Sequence, residues 1–169
     1  MSPPPSVRGD HAYEGDVLRG PGADGCECDA DHDGGDGERQ DVRDALDHLK
    51  DRVTDRPLLL GGFSFGSVVG LSVARDDSEL SGLIGMGLPV TLADVSFLND
   101  EQRPLLLLQG ENDQFGPIGQ LKEVLDTTRK NVDLRVIEGT EHLFNGKFDV
   151  LQEEIRDYFQ QAPGKEYLE

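Results

Sequence analysis

The sequence contains no tryptophan and only two cysteines, Cys26 and Cys28, which are separated by a single residue. Two such cysteines are too few for a disulfide framework or a closed zinc site, so we expect neither to stabilise the fold. The chain also has no apolar run of membrane-spanning length, and its N-terminus lacks the basic start and the apolar centre of a signal peptide. We therefore expect a cytoplasmic protein without a membrane partner.

Basic residues are scarce: Lys and Arg number 16 against 34 Asp and Glu, which leaves a net charge of −18 at pH 7. A surface of this charge repels phosphate backbones and anionic lipid, so nucleic acid is disfavoured as a partner. Such a composition suits a high-salt cytoplasm, although an ordinary acidic protein explains it almost as well. The length of 169 residues is enough for one domain with its own core and too short for two.

Residues 1–36 are rich in Gly, Asp and Pro and contain hardly any periodic apolar pattern. We expect this segment to be disordered or irregular, followed by a folded domain over residues 37–162 and a tail over residues 163–169. The run Asp31-His32-Asp33 has the side chains of a metal site, but a solvated acidic loop is the better interpretation because nothing fixes its geometry. We therefore expect neither a metal ion nor a cofactor.

Beyond residue 37 the chain alternates helical periodicity with short apolar runs of strand length. The predicted helices are Glu38–Val53, Gly66–Ala74, Ile118–Arg129 and Phe148–Phe159. The predicted strands are Leu58–Gly61, Leu80–Met86, Pro104–Gly110 and Val132–Ile137. This alternation predicts an α/β fold with right-handed crossovers, in which helices cover both faces of a mainly parallel sheet of about four strands.

Residues Gly62–Gly66 read Gly-Phe-Ser-Phe-Gly, the G-x-S-x-G pattern, between a predicted strand and a predicted helix. A sharp turn there would hold Ser64 at its tip, and it would require little bulk at Gly62 and Gly66, where the two backbones converge. The hydroxyl would then lie at a helix N-terminus, which favours the negative charge that develops when a carbonyl is attacked. An ordinary glycine-rich loop is the alternative interpretation.

Two further polar residues, Asp113 and His142, follow the ends of the third and fourth predicted strands. The carboxyl ends of parallel strands meet at one edge of a sheet, so both side chains can converge on Ser64. A histidine can take the serine proton, and a carboxylate can fix the histidine tautomer. Taken singly, Asp113 could instead form an Asx turn and His142 could cap the last helix. The order Ser, Asp, His is that of α/β hydrolases.

Three segments, Gly62–Gly66, Leu107–Pro117 and Glu138–Lys147, resemble the three catalytic loops of the α/β-hydrolase superfamily. More narrowly, they resemble its small prokaryotic hydrolases related to the dienelactone-hydrolase-like group, and the match runs from about residue 33 to about residue 160. The resemblance implies a serine hydrolase that cleaves an ester, thioester or related acyl bond of a small molecule. It implies Ser64, Asp113 and His142 as the catalytic residues and the backbone N–H of Phe65 as one oxyanion donor.

The sequence departs from this family before the nucleophile strand, where the family has further strands and a loop that donates the second oxyanion N–H. Residues 1–30 contain neither, so the fold is expected to be a truncated one and the second donor is unassigned. The nucleophile strand would then be an apolar edge, for which we expect either pairing with another copy of the chain or marginal stability. A truncated or misread gene start would also explain the composition of residues 1–36.

Two alternatives to an active hydrolase follow from these features. A catalytically impaired or inactive α/β-hydrolase remnant would act as a binding or interaction protein, which the missing oxyanion loop favours and the complete set of Ser64, Asp113 and His142 opposes. A flavodoxin-like nucleotide binder is disfavoured because no phosphate-binding glycine loop opens the first helix after an early strand.

Overall fold

The structure is a computed structural model that describes residues 35–53 and 56–161 of the chain. The expectations for Cys26, Cys28, residues 31–33, the tail and all but the last two residues of the 1–36 segment lie outside the described residues. The helices are α1 (Asp36–Lys50), α2 (Phe65–Ala74), α3 (Ile118–Val124) and α4 (Phe148–Gln160), with a short 3₁₀ helix at Ser96–Asp100. The strands are β1 (Leu58–Phe63), β2 (Leu80–Met86), β3 (Leu105–Gly110) and β4 (Val132–Ile137).

The four strands form one parallel sheet in the order β1-β2-β3-β4. Their ends are nearly level, since Phe63 is paired with Met86, Met86 with Leu108, and Gly110 with Ile137. The predicted α/β class and four-stranded parallel sheet are confirmed. The loops that leave β1, β3 and β4 therefore start at the same edge of the sheet.

Alternation along β3 divides the apolar residues between two cores, one on each face of the sheet. Leu105 and Leu107 pack with α1, α2 and α3 on one face, whereas Leu106 and Leu108 pack with α4 on the other. All six residues of β3 are buried. Helices cover both faces, as predicted, and an apolar run that is buried on both sides accounts for the unbroken leucines of this strand.

The helix that begins at Ile118 ends at Val124 and not at Arg129, so the predicted end was wrong. Leu125 has an extended backbone, with φ of −115° and ψ of 131°. The side chain of Asp126 accepts hydrogen bonds from both the N–H and the hydroxyl of Thr128, and Asn99 accepts one from the N–H of Asp126. These local bonds offer the backbone an alternative to another helical turn.

Strand β1 lies at one end of the sheet. Its residues Leu58 to Leu60 are half-buried, Gly61 is exposed and Phe63 is 40% exposed. No charged residue interrupts the strand, so it lacks the edge charges by which many natural proteins oppose pairing at sheet edges.

None of the helices in the described residues combines the length and the apolar character that a bilayer crossing requires.

We predict that the edge of β1 mediates self-association, which sedimentation velocity at increasing protein concentration can measure. Leu59→Lys should shift the protein toward monomer, because a lysine on an edge strand opposes pairing with another strand. Leu92→Lys is the matched control, since Leu92 is 72% exposed and lies outside the sheet. A wild-type protein that sediments as a monomer at every concentration would contradict the prediction.

Candidate active site

Ser64 occupies a sharp turn between β1 and α2. Its φ of 52° and ψ of −124° lie in a region that side-chain-bearing residues rarely adopt. The Ser64 N–H donates a hydrogen bond of 2.8 Å to the carbonyl of Met86 in β2, and the Ser64 carbonyl accepts bonds from both the N–H and the hydroxyl of Ser67. The strained backbone is thus tied to the neighbouring strand and to the first turn of α2.

The two glycines of the motif serve the turn differently. A Cβ on Gly62 would overlap the backbone of Gly66 and lie 2.7 Å from Cα of Ser67, whereas a Cβ on Gly66 would meet nothing within 4 Å. The expectation that both positions must lack bulk was therefore wrong for Gly66. Strand and helix converge on Gly62, and Gly66 contributes only the backbone that Gly62 approaches.

Three predicted site residues come together in a chain of hydrogen bonds. The Oγ of Ser64 lies 2.7 Å from Nε2 of His142, which is 78 residues further along the chain. The Nδ1 of the same imidazole lies 2.9 Å from Oδ2 of Asp113. Asp113 and His142 are buried, with exposed fractions of 2% and 5%. The three side chains follow the carboxyl ends of β1, β3 and β4, so their convergence is a consequence of the parallel sheet.

Asp113 accepts hydrogen bonds on both carboxylate oxygens. Oδ1 accepts the backbone N–H groups of Phe115 at 2.8 Å and Gly116 at 3.0 Å, while Oδ2 accepts the side-chain amide of Gln109 at 2.7 Å and faces His142. The turn that the Asp113 side chain makes with its own loop therefore coexists with its contact to the imidazole. Bonds of this kind fix the orientation of the carboxylate.

Sequence reasoning missed Gln109, although a signal was available. Residues Leu105–Leu108 form a buried apolar run, and a polar side chain that continues such a run needs buried partners. Gln109 is 1% exposed. Its partners could not be named in advance because they lie in two different loops.

Aromatic rings and a glycine confine the imidazole of His142. Its centroid lies 5.2 Å from the ring of Phe63 and 4.8 Å from the ring of Phe115, which it meets edge to face. Gly87 follows β2 with a φ of +57°, and a Cβ there would lie 3.3 Å from Cε1 of His142. The ring is therefore held by packing as well as by its two hydrogen bonds.

The loop that carries His142 is fixed on both sides of the histidine. Phe144 is 2% exposed and belongs to the core beneath α4. Hydrogen bonds from the N–H of Leu143 and from the side chain of Asn145 lower the pKa of the half-buried Glu141 carboxyl, and the nearby His142 contributes in the same direction. Glu141 therefore stays ionised beside the imidazole at neutral pH.

Phe65, the predicted source of one oxyanion donor, is the first residue of α2. Its backbone N–H lies at the N-terminal end of this helix, where partial positive charge accumulates. The side chain is 45% exposed. We assign no second oxyanion donor within residues 56–161.

An apolar cavity of about 450 Å³ adjoins the site on the side of Phe63 and Leu143. It is lined by Phe63, Met86, Leu143, Phe144, Asn145 and Phe148. Neither Ser64 nor His142 lines it, so the cavity flanks the hydrogen-bonded chain and does not contain the serine hydroxyl. Within the part of the chain that the structure describes, no cluster of three or more His, Cys, Asp or Glu side chains could hold a metal ion.

A parallel sheet that carries a serine on the turn between a strand and a helix, at its carboxyl edge, is characteristic of the α/β-hydrolase class. Residues 36–161 match the family of alpha/beta hydrolase domains, and the chain belongs to this family. It is 28% identical over 135 residues to an uncharacterized protein of Rickettsia prowazekii, a match that covers 75% of this chain and 57% of that protein. The narrower resemblance to the dienelactone-hydrolase-like group stays a prediction.

Solved structures give the same assignment. A protein of unknown function from Agrobacterium tumefaciens superposes with a TM-score of 0.70 at 29% identity, over 82% of this chain and 66% of that one. An α/β serine hydrolase homologue from Coxiella burnetii superposes with a TM-score of 0.68 at 28% identity, over 76% of this chain and 62% of that one. A serine hydrolase without a lid from Xanthomonas campestris superposes with a TM-score of 0.63 at 29% identity, over 79% of this chain and 62% of that one. The chain thus spans less than two thirds of the length of these relatives.

The geometry of the turn predicts that replacing its two glycines with alanine changes the stability of the protein differently. Gly62→Ala should lower the free energy of unfolding by at least about 2 kcal/mol, because the added methyl group forces β1 and α2 apart. Gly66→Ala should leave it unchanged or raise it by about 0.5–1 kcal/mol, since alanine is favoured over glycine in a helix and the space is open. Urea unfolding followed by circular dichroism measures both, and equal losses would contradict this account of the turn.

Proposed function

We propose that this chain is a serine hydrolase that cleaves an ester, thioester or related acyl bond of a small molecule. The observation that carries the proposal is the continuous chain of hydrogen bonds from Ser64 Oγ through His142 to Asp113, with lengths of 2.7 and 2.9 Å. Membership of the α/β-hydrolase family and the likeness to the Coxiella burnetii and Xanthomonas campestris serine hydrolases support it. No cofactor is required by this chemistry.

In the first half of the proposed reaction, Ser64 Oγ attacks the carbonyl carbon of the substrate while His142 Nε2 takes the hydroxyl proton. The bond between the carbonyl carbon and its leaving group then breaks, and the leaving group receives that proton from His142. The product of this half is an acyl group esterified to Ser64. Asp113 holds the proton on Nδ1 of His142, so that Nε2 is free to accept one, and it stabilises the imidazolium that forms.

In the second half, a water molecule attacks the acyl carbon while His142 takes one of its protons. The bond to Ser64 Oγ breaks, the serine recovers its proton from His142, and a carboxylic acid leaves. In both halves the carbonyl oxygen carries negative charge for which we propose the N–H of Phe65 as one donor. Loss of a single such donor typically costs about two to three orders of magnitude in rate, so the identity of the second donor bears on the rate.

The nucleophile can be tested by labelling the full chain with a fluorophosphonate probe and by hydrolysis of short-chain p-nitrophenyl esters. We expect wild-type protein to be labelled and Ser64→Ala to show no labelling, because the phosphonate forms its bond to Ser64 Oγ. Ser78→Ala is the control and should label like the wild type, since this exposed serine lies between α2 and β2, at the opposite edge of the sheet. Folded wild-type protein without labelling would favour the alternative, a catalytically inactive α/β-hydrolase domain that acts by binding.

The proposed role of Asp113 predicts that its replacement lowers the rate of ester hydrolysis although Ser64 is still present. Asp113→Asn should reduce the rate of ester hydrolysis by about 10⁴-fold, because an amide favours the wrong tautomer of His142. Steady-state hydrolysis at several pH values provides the measurement. Asp126→Asn is the matched control, since Asp126 is an exposed acidic residue after α3 and does not contact the site. A residual rate within about tenfold of the wild type would argue against this role for Asp113.

A further inference from the structure

Gln109, at the carboxyl end of β3, connects three parts of the site through one side-chain amide. Its Nε2 donates hydrogen bonds of 2.7 Å to Oδ2 of Asp113 and 3.0 Å to the carbonyl of Gly116. Its Oε1 accepts a bond of 2.9 Å from the N–H of Leu88, in the loop after β2. Both amide protons and the amide oxygen are therefore used, in a side chain that is 1% exposed.

The partners of Gln109 fix the orientation of its amide. Two acceptors, the Asp113 carboxylate and the Gly116 carbonyl, require the NH₂ end, and the N–H of Leu88 requires the oxygen. A reversed amide would place oxygen against oxygen at two contacts, which is unfavourable in a buried site. The backbone of Gly116 packs closely against this amide, because a Cβ on Gly116 would overlap the Gln109 amide and the carbonyl of Leu88.

Gln109 bonds to the same carboxylate oxygen that faces the imidazole, Oδ2 of Asp113. The N–H groups of Phe115 and Gly116 hold only Oδ1, so Gln109 is the donor, besides the imidazole itself, that sets the position of Oδ2. Rotation of the carboxylate would lengthen the 2.9 Å contact to Nδ1 and weaken control of the histidine tautomer. Glutamine meets these requirements without adding charge, whereas a glutamate would set a second carboxyl group against the first.

We propose that Gln109 is a positioning residue that acts on His142 through Asp113, a role that deepens the proposed hydrolase function and rests on it. Gln109 does not touch the reacting atoms. It keeps the Oδ2 lone pair directed at Nδ1–H and ties the loops after β2 and β3 to each other. Among the described residues, the charged side chains that interact with His142 are Asp113, which is buried, and Glu141, which is half-buried.

Two substitutions separate this role from simple stabilisation. Gln109→Leu removes the donor to Asp113 and should lower the rate of fluorophosphonate labelling by about tenfold or more, the effect of one hydrogen bond to a charged group. Gln109→Glu keeps the shape of the side chain and, while protonated, can still donate to Asp113. Once ionised, it can no longer donate to Oδ2 and sets a second negative charge against it, so the labelling rate of this variant should fall relative to the wild type as the pH is raised.

The matched controls are Gln114→Leu and Gln114→Glu, because Gln114 is the same residue type in the same loop, next to Asp113, and its side chain is exposed. We expect both controls to label at the wild-type rate. The ¹⁵N chemical shifts of the His142 ring, followed by NMR, report which nitrogen carries the proton and give a second measurement that requires no catalysis. A purely structural role for Gln109 would lower the melting temperature without changing this tautomer.

The outcomes are distinguishable. Gln109→Leu that folds, labels like the wild type and keeps the wild-type tautomer of His142 would overturn the positioning role, as would Gln109→Glu that ionises and still labels like the wild type. Loss of labelling in Gln109→Glu as its carboxyl group ionises supports the role even where Gln109→Leu fails to fold. If wild-type protein is not labelled at all, the proposed hydrolase function fails, while the NMR measurement still decides whether Gln109 controls the His142 tautomer.

Discussion

The reversal of the backbone at Ser64 is the constraint on which the rest of the site depends. A φ of 52° is unfavourable for serine, and bonds to Met86 and Ser67 on either side of the turn offset the strain. The turn can be this tight only because Gly62 has no side chain where the strand meets the helix. The position of the serine hydroxyl is therefore a property of the packing between β1 and α2.

The site also requires donors around the buried carboxylate of Asp113 that compensate its charge. An ion at 2% exposure is unfavourable without partners, and Asp113 obtains them from two backbone N–H groups, the Gln109 amide and His142. These donors are fixed by strand ends and a tight loop, so they would need little reorganisation if charge developed on the imidazole as in the proposed reaction. The same bonds that make the buried charge tolerable also direct it toward His142.

The contacts that position the three side chains do not involve the outer edge of β1, the end strand of the described sheet. Ser64 is tied to β2 through Met86, Asp113 is tied to β3 and to the loop after β2 through Gln109, and Phe144 anchors the His142 loop in the core under α4. The terminal position of β1 is a consequence of strand order within the described residues. The geometry of the site and the association behaviour of the edge are thus separate properties of the sheet.

The sequence by itself determined the order of strands and helices and the placement of Ser64, Asp113 and His142 at strand ends, because apolar periodicity and turn residues act over a few positions. Their approach to within hydrogen-bonding distance, the selective crowding at Gly62, the early end of α3 and the partners of Gln109 were decided by the tertiary structure. Each of these features joins residues that local patterns treat independently. Only the packed sheet and its loops fix the distances between them.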